Sequence, residues 1–335
     1  MGWSCYSDAA YTTRMATNAS TGRSFFAHDE DIRAGKKSAG AHESLDPSKL
    51  NKAGKNVRES IDSDAHPESR AVAVIFDETG SMGSVPRKFV DKLGKLMATL
   101  VSKGFLEHPH VMFGAVGDAK SDRVPLQIGQ FEAGNEMDET LSNIYLEGNG
   151  GGSREESYEL AMYYMARHTE LDCLKKRGDK GYLFLCGDER PYDEVRPAEV
   201  KRLIGDDLQA AIPTEEILAE LREKFEVFWI CPKEGSYFNT PFVMDRLRGL
   251  FGQHLIPLDH AEDVCEVIAA TIGVAEGIDI HDVTAGLKDI GLDDGAASRA
   301  TKAVAKFSAK GVAKTAKVEG ELATADAADD SVARV

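Results

Sequence analysis

The stretch Val72-Ala73-Val74-Ile75-Phe76-Asp77-Glu78-Thr79-Gly80-Ser81-Met82 decides how this chain is read. Five consecutive apolar residues, three of them β-branched, describe a strand buried on both faces. The run ends on a carboxylate, and hydroxyls follow at alternate positions, so Asp77, Thr79 and Ser81 bring three oxygens to one strand tip. Hard divalent cations such as Mg2+ take oxygen ligands, often one or two carboxylates beside retained waters. The junction therefore poses a metal site, used either for chemistry or for holding a partner.

Outward from residue 77, strands and helices alternate. Residues 70–76 are followed by Ser84, a helix cap, with Pro86 in the first turn. Phe89, Leu93, Leu96, Met97, Leu100 and Val101 then recur at helical spacing. Further strands are expected at 111–116, 124–128 (an edge), 182–186, 226–231 and 254–258. Helices are expected at 137–146, 214–224 and 261–272. Ser153-Arg154-Glu155-Glu156, after the glycine-rich 148–152, reads as a capping box opening a helix to about residue 167. Such alternation implies an α/β fold, a doubly wound Rossmann-like and mostly parallel sheet with helices on both faces. The body is expected over 69–281. Residues 1–68 read as a polar, partly disordered N-terminal extension. Residues 282–335 read as an Ala-, Lys- and Asp-rich tail, disordered or transiently helical.

The formal charge of −16 lies almost wholly in 69–281, because acids and bases nearly balance in both arms. A compact acidic body is a poor nucleic-acid binder, since phosphate contacts need clustered Lys and Arg. No apolar run approaches the ~20 residues of a membrane span, and the N-terminus lacks the basic start and apolar core of a signal peptide. Five widely spaced cysteines (Cys5, Cys173, Cys186, Cys231, Cys265) form no C-x-x-C pair. They argue for a reducing, cytoplasmic setting and against a disulfide framework or a zinc site. Cys173, beside Lys175 and Lys176, reads as an inert thiol. His108 and His110, flanking Pro109, read as a solvated turn.

In an open α/β sheet, ligands bind beyond the carboxyl ends of the strands. Three loops there carry oxygens: Asp77/Thr79/Ser81, Ser153, and Asp188 after the strand at 182–186. Each has a plainer rival. Asp77 could end a strand or cap a helix, Ser153 could serve only as a cap with Glu156, and Asp188 could be a turn residue. Asp118, at another strand tip, reads as a turn residue or a group behind the ligands.

Asp77-x-Thr79-Gly80-Ser81-Met82 resembles the D-x-[ST]-G-S-M signature of von Willebrand factor A domains, where it forms the first loop of a metal-ion-dependent adhesion site. Ser153 matches the second loop of that family and Asp188 the third, and the resemblance covers roughly residues 70–275. Thr79 stands where Ser is commoner, and Ser153 where Thr is commoner. The resemblance implies a non-enzymatic module binding Mg2+ or Mn2+ through Asp77, Thr79, Ser81, Ser153 and Asp188. The last metal position would take an Asp or Glu carboxylate from a protein partner. Intracellular members often work beside AAA+ ATPases of the MoxR class, and the overall style is similar to phage-encoded members.

An enzyme alternative starts from the same loop, which also resembles the D-K-T-G-T motif of haloacid-dehalogenase-type enzymes, with Asp77 as the nucleophile of a Mg2+-dependent phosphatase. Against it, Glu78 replaces the lysine, no Asp stands at 79, and Val116-Gly117 offers phosphate no hydroxyl.

Overall fold

A computed structural model describes residues 5–21, 26–50, 54–93, 95–102, 104–148, 152–289, 295–305 and 307. Six strands build the main sheet: β1 (Arg70–Asp77), β2 (Pro109–Val116), β3 (Leu126–Ile128), β4 (Gly181–Cys186), β5 (Phe225–Pro232) and β6 (Leu255–Leu258). Their order is β6-β5-β4-β1-β2-β3, parallel throughout except for the antiparallel edge strand β3. The chain builds outward from β1 to β3, then returns to the other flank of β1 for β4. Strand order thus reverses between β1 and β4, where such sheets bind ligands.

The α-helices that flank the sheet or precede it are α1 (Asp8–Thr21), α2 (Ala27–Arg33), α3 (Val85–Leu93), α4 (Leu96–Ser102), α5 (Glu136–Asn143), α6 (Tyr158–Arg167), α7 (Pro197–Leu203), α8 (Thr214–Arg222), α9 (Pro241–Phe251), α10 (Val264–Ala275) and α11 (Ile280–Asp289). Residues 295–305 are helical as well. The two-residue period of β1 sorts its side chains between two cores. Val72, Val74 and Phe76 pack with Phe89 and Leu93 of α3, Leu96 of α4 and Ile268 of α10. Ala71, Ala73 and Ile75 pack on the other face with Leu160 of α6, Leu221 of α8 and Leu247 of α9. The doubly wound parallel sheet expected from the sequence is the architecture observed.

Three local expectations are corrected. The spacing from Phe89 to Val101 spans two helices, and Val101 is exposed. No helix starts at Ser153. Glu155–Glu156 is an extended pair aligned with Arg190–Pro191, and helix α6 begins at Tyr158 with Ser157 at its N-cap position. Extended pairing takes the place of a helical cap there and brings two loops together, with Arg190 N donating to Arg154 O (3.3 Å). His110 is fully buried rather than part of a solvated turn, since β2 already begins at Pro109 and carries it into the sheet.

The segments read as arms pack on the body. Tyr11, Phe26 and Leu45 are buried, and Ile128 N donates to Leu45 O (2.8 Å) along the outer side of β3. Arg58, also buried, donates from Nε to Gly129 O (3.1 Å) and from Nη2 to Asp46 O (3.1 Å). At the other end, Val283, Leu287, Ala297, Ala300 and Val304 join the first core. Over 295–305 small residues at helical spacing, Ala297, Ala300 and Val304, make this contact. Residues 308–335 of the expected tail lie outside the described residues. No helix among those described is long and apolar enough to cross a membrane.

Candidate metal centre

Strands β1 and β4 end side by side because Phe76 pairs with Cys186. Asp77 and, one residue beyond Gly187, Asp188 therefore emerge at neighbouring tips. Gly187 permits this approach: a Cβ there would stand 1.7 Å from Tyr158 Oη and 3.1 Å from Asp77 Cβ. Only glycine fits. Replacing Gly187 with alanine is expected to force Tyr158 off Asp77, costing about 1–3 kcal/mol, the usual range for overpacking. Urea unfolding and Mn2+ titration of the variant check this, with weakened ion binding as the expected companion.

Asp77, Asp188 and Glu189 each place one carboxylate oxygen within 4.8 Å of the others, and all three residues are buried. Thr79 donates to Asp77 Oδ1 from its backbone N (2.7 Å) and its Oγ1 (2.6 Å), and Tyr158 Oη donates to Asp77 Oδ2 (2.8 Å). Tyr237 N donates to Asp188 Oδ2 (3.0 Å). Ser81 Oγ lies 2.8 Å from Asp188 Oδ1, 2.9 Å from Glu189 Oε2 and 3.2 Å from Thr79 Oγ1.

Charge is unbalanced here. A serine hydroxyl carries one proton, so Ser81 serves either Asp188 or Glu189, the Thr79 proton is committed to Asp77, and Glu189 is also hydrogen-bonded to Glu156. Among the described residues no Lys, Arg or His forms an ion pair with Asp77, Asp188 or Glu189. Burial pushes the Asp77 carboxyl well above the usual range, reinforced by the Asp188 and Glu189 charges. Burial likewise raises Asp188 and Glu189. Glu156 is pushed up to about 12, by burial first and then by Asp77 and Glu189. Isolated carboxylates here cost free energy unless a cation joins them or protons neutralise them. An all-oxygen set of carboxylates and hydroxyls fits a hard divalent ion, Mg2+ or Mn2+.

Four of the five residues singled out from sequence, Asp77, Thr79, Ser81 and Asp188, thus meet in one linked network. Ser153 is bonded elsewhere. Its Oγ donates to Glu155 O (3.0 Å) and lies 3.3 Å from Tyr192 Oη, which in turn donates to Asp118 Oδ1 (3.0 Å). Asp118 also accepts from Lys120 N (3.0 Å) and Ser121 Oγ (3.1 Å), a turn arrangement. Of the glycine-rich loop, residues 149–151 lie outside the described residues. Sequence reasoning missed Glu189, Glu156 and Tyr158. The adjacency Asp188-Glu189 was the available signal for the first. Glu156 was assigned to a cap. A tyrosine inside an apolar helix gives no sequence sign of aiming its hydroxyl at a carboxylate.

No family model matches the sequence, and no curated protein matches it. Solved structures with similarity include a von Willebrand factor type A protein from Catenulispora acidiphila (15% identity, TM-score 0.35, covering 63% of this chain and 43% of that one). A pilus adhesin, SpaC from Lactobacillus rhamnosus GG in its open conformation, is 12% identical, with a TM-score of 0.42 and coverages of 62% and 30%. Proximal thread matrix protein 1 from the mussel byssus is 11% identical, with a TM-score of 0.40 and coverages of 61% and 46%. The chain spans less than half the length of each of these structures. With TM-scores below 0.5, none of these likenesses bears on function.

Proposed function

We propose that this chain is a metal-dependent protein-interaction module of the von Willebrand factor A type, gripping its partner through a divalent ion. The observation that carries the reading is the set of three buried carboxylates, Asp77, Asp188 and Glu189, whose oxygens lie within 4.8 Å of one another with no cationic side chain paired to them among the described residues. Asp77, Thr79, Ser81 and Asp188 would hold the ion, with Glu189 as the further carboxylate at the site. Ser153 remains a proposed contributor only if its loop moves toward them. When bound, the ion supplies an electrophilic position for a carboxylate of the partner. The chain's own groups prepare that position. Tyr158 fixes the rotamer of Asp77, Tyr237 N fixes Asp188, and Ser236 holds the Ser81 backbone through Ser81 O (2.8 Å from Ser236 Oγ). A proton on Glu156, facing Glu189, lowers the negative charge that an incoming carboxylate meets.

Binding is favoured over catalysis by the residues around Asp77. Position 79 carries no Asp to act as general acid, and Val116-Gly117 offers phosphate no hydroxyl, two groups that the phosphatase alternative requires. The partner expected from chemistry presents one Asp or Glu amid basic residues, because a chain of net charge −16 repels an acidic surface at long range. An AAA+ ATPase of the MoxR class is the proposed partner type, and the cytoplasm, of a phage host where the gene is phage-borne, the proposed compartment.

The test is capture from lysate by the intact chain, in Mg2+ or in chelator, beside an Asp188→Asn variant. A carboxylate-bearing protein retained in Mg2+ and lost in both other arms is expected. Equal retention with chelator overturns the reading.

A further inference from the structure

Three histidines gather at the end of the sheet opposite the carboxylates, where β1 and β2 begin. The His66 ring stands edge-to-face with both His108 and His110, at 5.5 Å between centroids in each case. His110 is fully buried. Its Nδ1 lies 3.2 Å from Ser60 Oγ, and its Nε2 has no hydrogen-bond partner. Cys5 Sγ lies 3.8 Å from His66 Nε2.

We propose that Cys5, His66, His108 and His110 form a site for a zinc-type transition-metal ion, which fastens the start of the chain to the entrance of the sheet. Thiolate and imidazole donors select Zn2+ and its neighbours over Mg2+, so this site and the carboxylate site take different ions. The two ring spacings about His66 and its 3.8 Å distance from Cys5 stand close to those of a tetrahedral centre. With metal–nitrogen bonds of ~2.0–2.1 Å, two bound imidazoles hold their centroids about 5 Å apart, and a bound sulfur and nitrogen stand about 3.5 Å apart. Among the described residues, three donor atoms already lie within 4.8 Å only at Asp77, Asp188 and Glu189. An ion therefore closes the histidine site by turning the rings from edge-to-face to convergent.

The surroundings favour this closure. Ser60 on Nδ1 orients the His110 ring and leaves Nε2 for a metal, the usual outer support of a ligating imidazole. Burial, with help from His66, lowers the His110 pKa to about 4, so no proton need leave it near neutral pH. Cys5 is exposed and His108 half-buried, which gives an ion a way in. His108 and His110 are near neighbours in sequence, but Cys5 and His66 lie far from them, so no complete ligand spacing marks the site. The site does not depend on the docking function proposed above.

The experiment uses the full chain, reduced, stripped of metal and free of any polyhistidine tag, titrated with Co2+ in excess Mg2+. Intense tetrahedral d–d bands and a thiolate-to-cobalt charge-transfer band are expected, both displaced by Zn2+. Cys5→Ser should abolish the charge-transfer band and keep the d–d bands. His108→Gln, at the half-exposed position least able to disturb folding, should weaken Zn2+ binding at least about 10-fold. Asp77→Asn should leave the cobalt spectrum unchanged, which separates this site from the carboxylate one. Weak octahedral bands alone, or a tetrahedral spectrum indifferent to both Cys5→Ser and His108→Gln, would overturn the proposal.

Discussion

Replacing Asp77 with asparagine is expected to remove divalent-ion binding while leaving the fold intact. Asparagine keeps an acceptor for Thr79 N and Thr79 Oγ1, and Tyr158 Oη can turn to accept from the new amide, so the local hydrogen bonds survive. What disappears is one negative charge from a cluster whose affinity rests on ligand charge. A fall on the order of 100-fold in Mn2+ affinity is expected, about 2.8 kcal/mol. The metal-free variant should be as stable as the parent or more so, because the cost of burying an ionisable carboxyl beside Asp188 and Glu189 has gone. Paramagnetic detection of Mn2+ is the suitable readout. A melting shift is not, since an ion near its dissociation constant adds only about 0.4 kcal/mol. Undiminished Mn2+ binding would remove Asp77 from the site. Asp188→Asn provides a second variant at a different strand tip should the first fail to fold.

The second large effect is a reversal of pH dependence by metal. In the folded, metal-free chain Asp77, Asp188, Glu189 and Glu156 have raised pKa values. Above the ordinary carboxylate range the unfolded chain has released protons that the folded chain still holds. Each such group then lowers stability by about 1.4 kcal/mol per pH unit until its folded pKa is reached. Glu156, at about 12, acts across the whole working range, and Asp138, raised to about 6 by burial, acts only below that value. His110 opposes them. Its folded pKa of about 4 means that acid destabilises the fold as pH drops from 6.5 toward 4. Several carboxyls outweigh one imidazole, so the chelated protein should lose stability from pH 5 to pH 8. A saturating divalent ion, which needs the ligands ionised, should make stability rise over the same interval. Urea midpoints at the two pH values, with chelator and with Mn2+, decide it. A chelated midpoint that climbs with pH would mean that the cluster is not desolvated as described.

How much of this was legible in the sequence follows from which forces act locally. The strand 70–76 and its oxygen-bearing tip were legible, because an unbroken apolar run and alternating oxygens are properties of neighbours in sequence. So was Asp188, by its place after another apolar run. Glu189 was not, because whether the second of two adjacent acids turns inward depends on Ser81 from a different strand tip. Ser153-Arg154-Glu155-Glu156 carried a capping signal of about 1 kcal/mol, which pairing with Arg190–Pro191 outweighed. The histidine cluster was illegible for the opposite reason to the strand: its members meet only after β2 and the loop before β1 are placed. The packing of the described residues before Arg58 escaped notice because a few dispersed residues, Tyr11, Phe26 and Leu45, do the work.

The hydrogen bond from Ile128 to Leu45 has a consequence for solubility. Edge strands expose unpaired N–H and C=O groups that invite other chains to add on. At one border of this sheet β6 is only four residues long and contains Pro257, which has no N–H to offer. At the other, β3 is three residues long, Leu45 O takes the amide of Ile128, and the Arg58 guanidinium caps the carbonyl of Gly129. The N-terminal region is thus a guard against edge-to-edge aggregation. A fragment starting at residue 69, where the alternating pattern begins, would keep every proposed ligand of the carboxylate site and lose that guard.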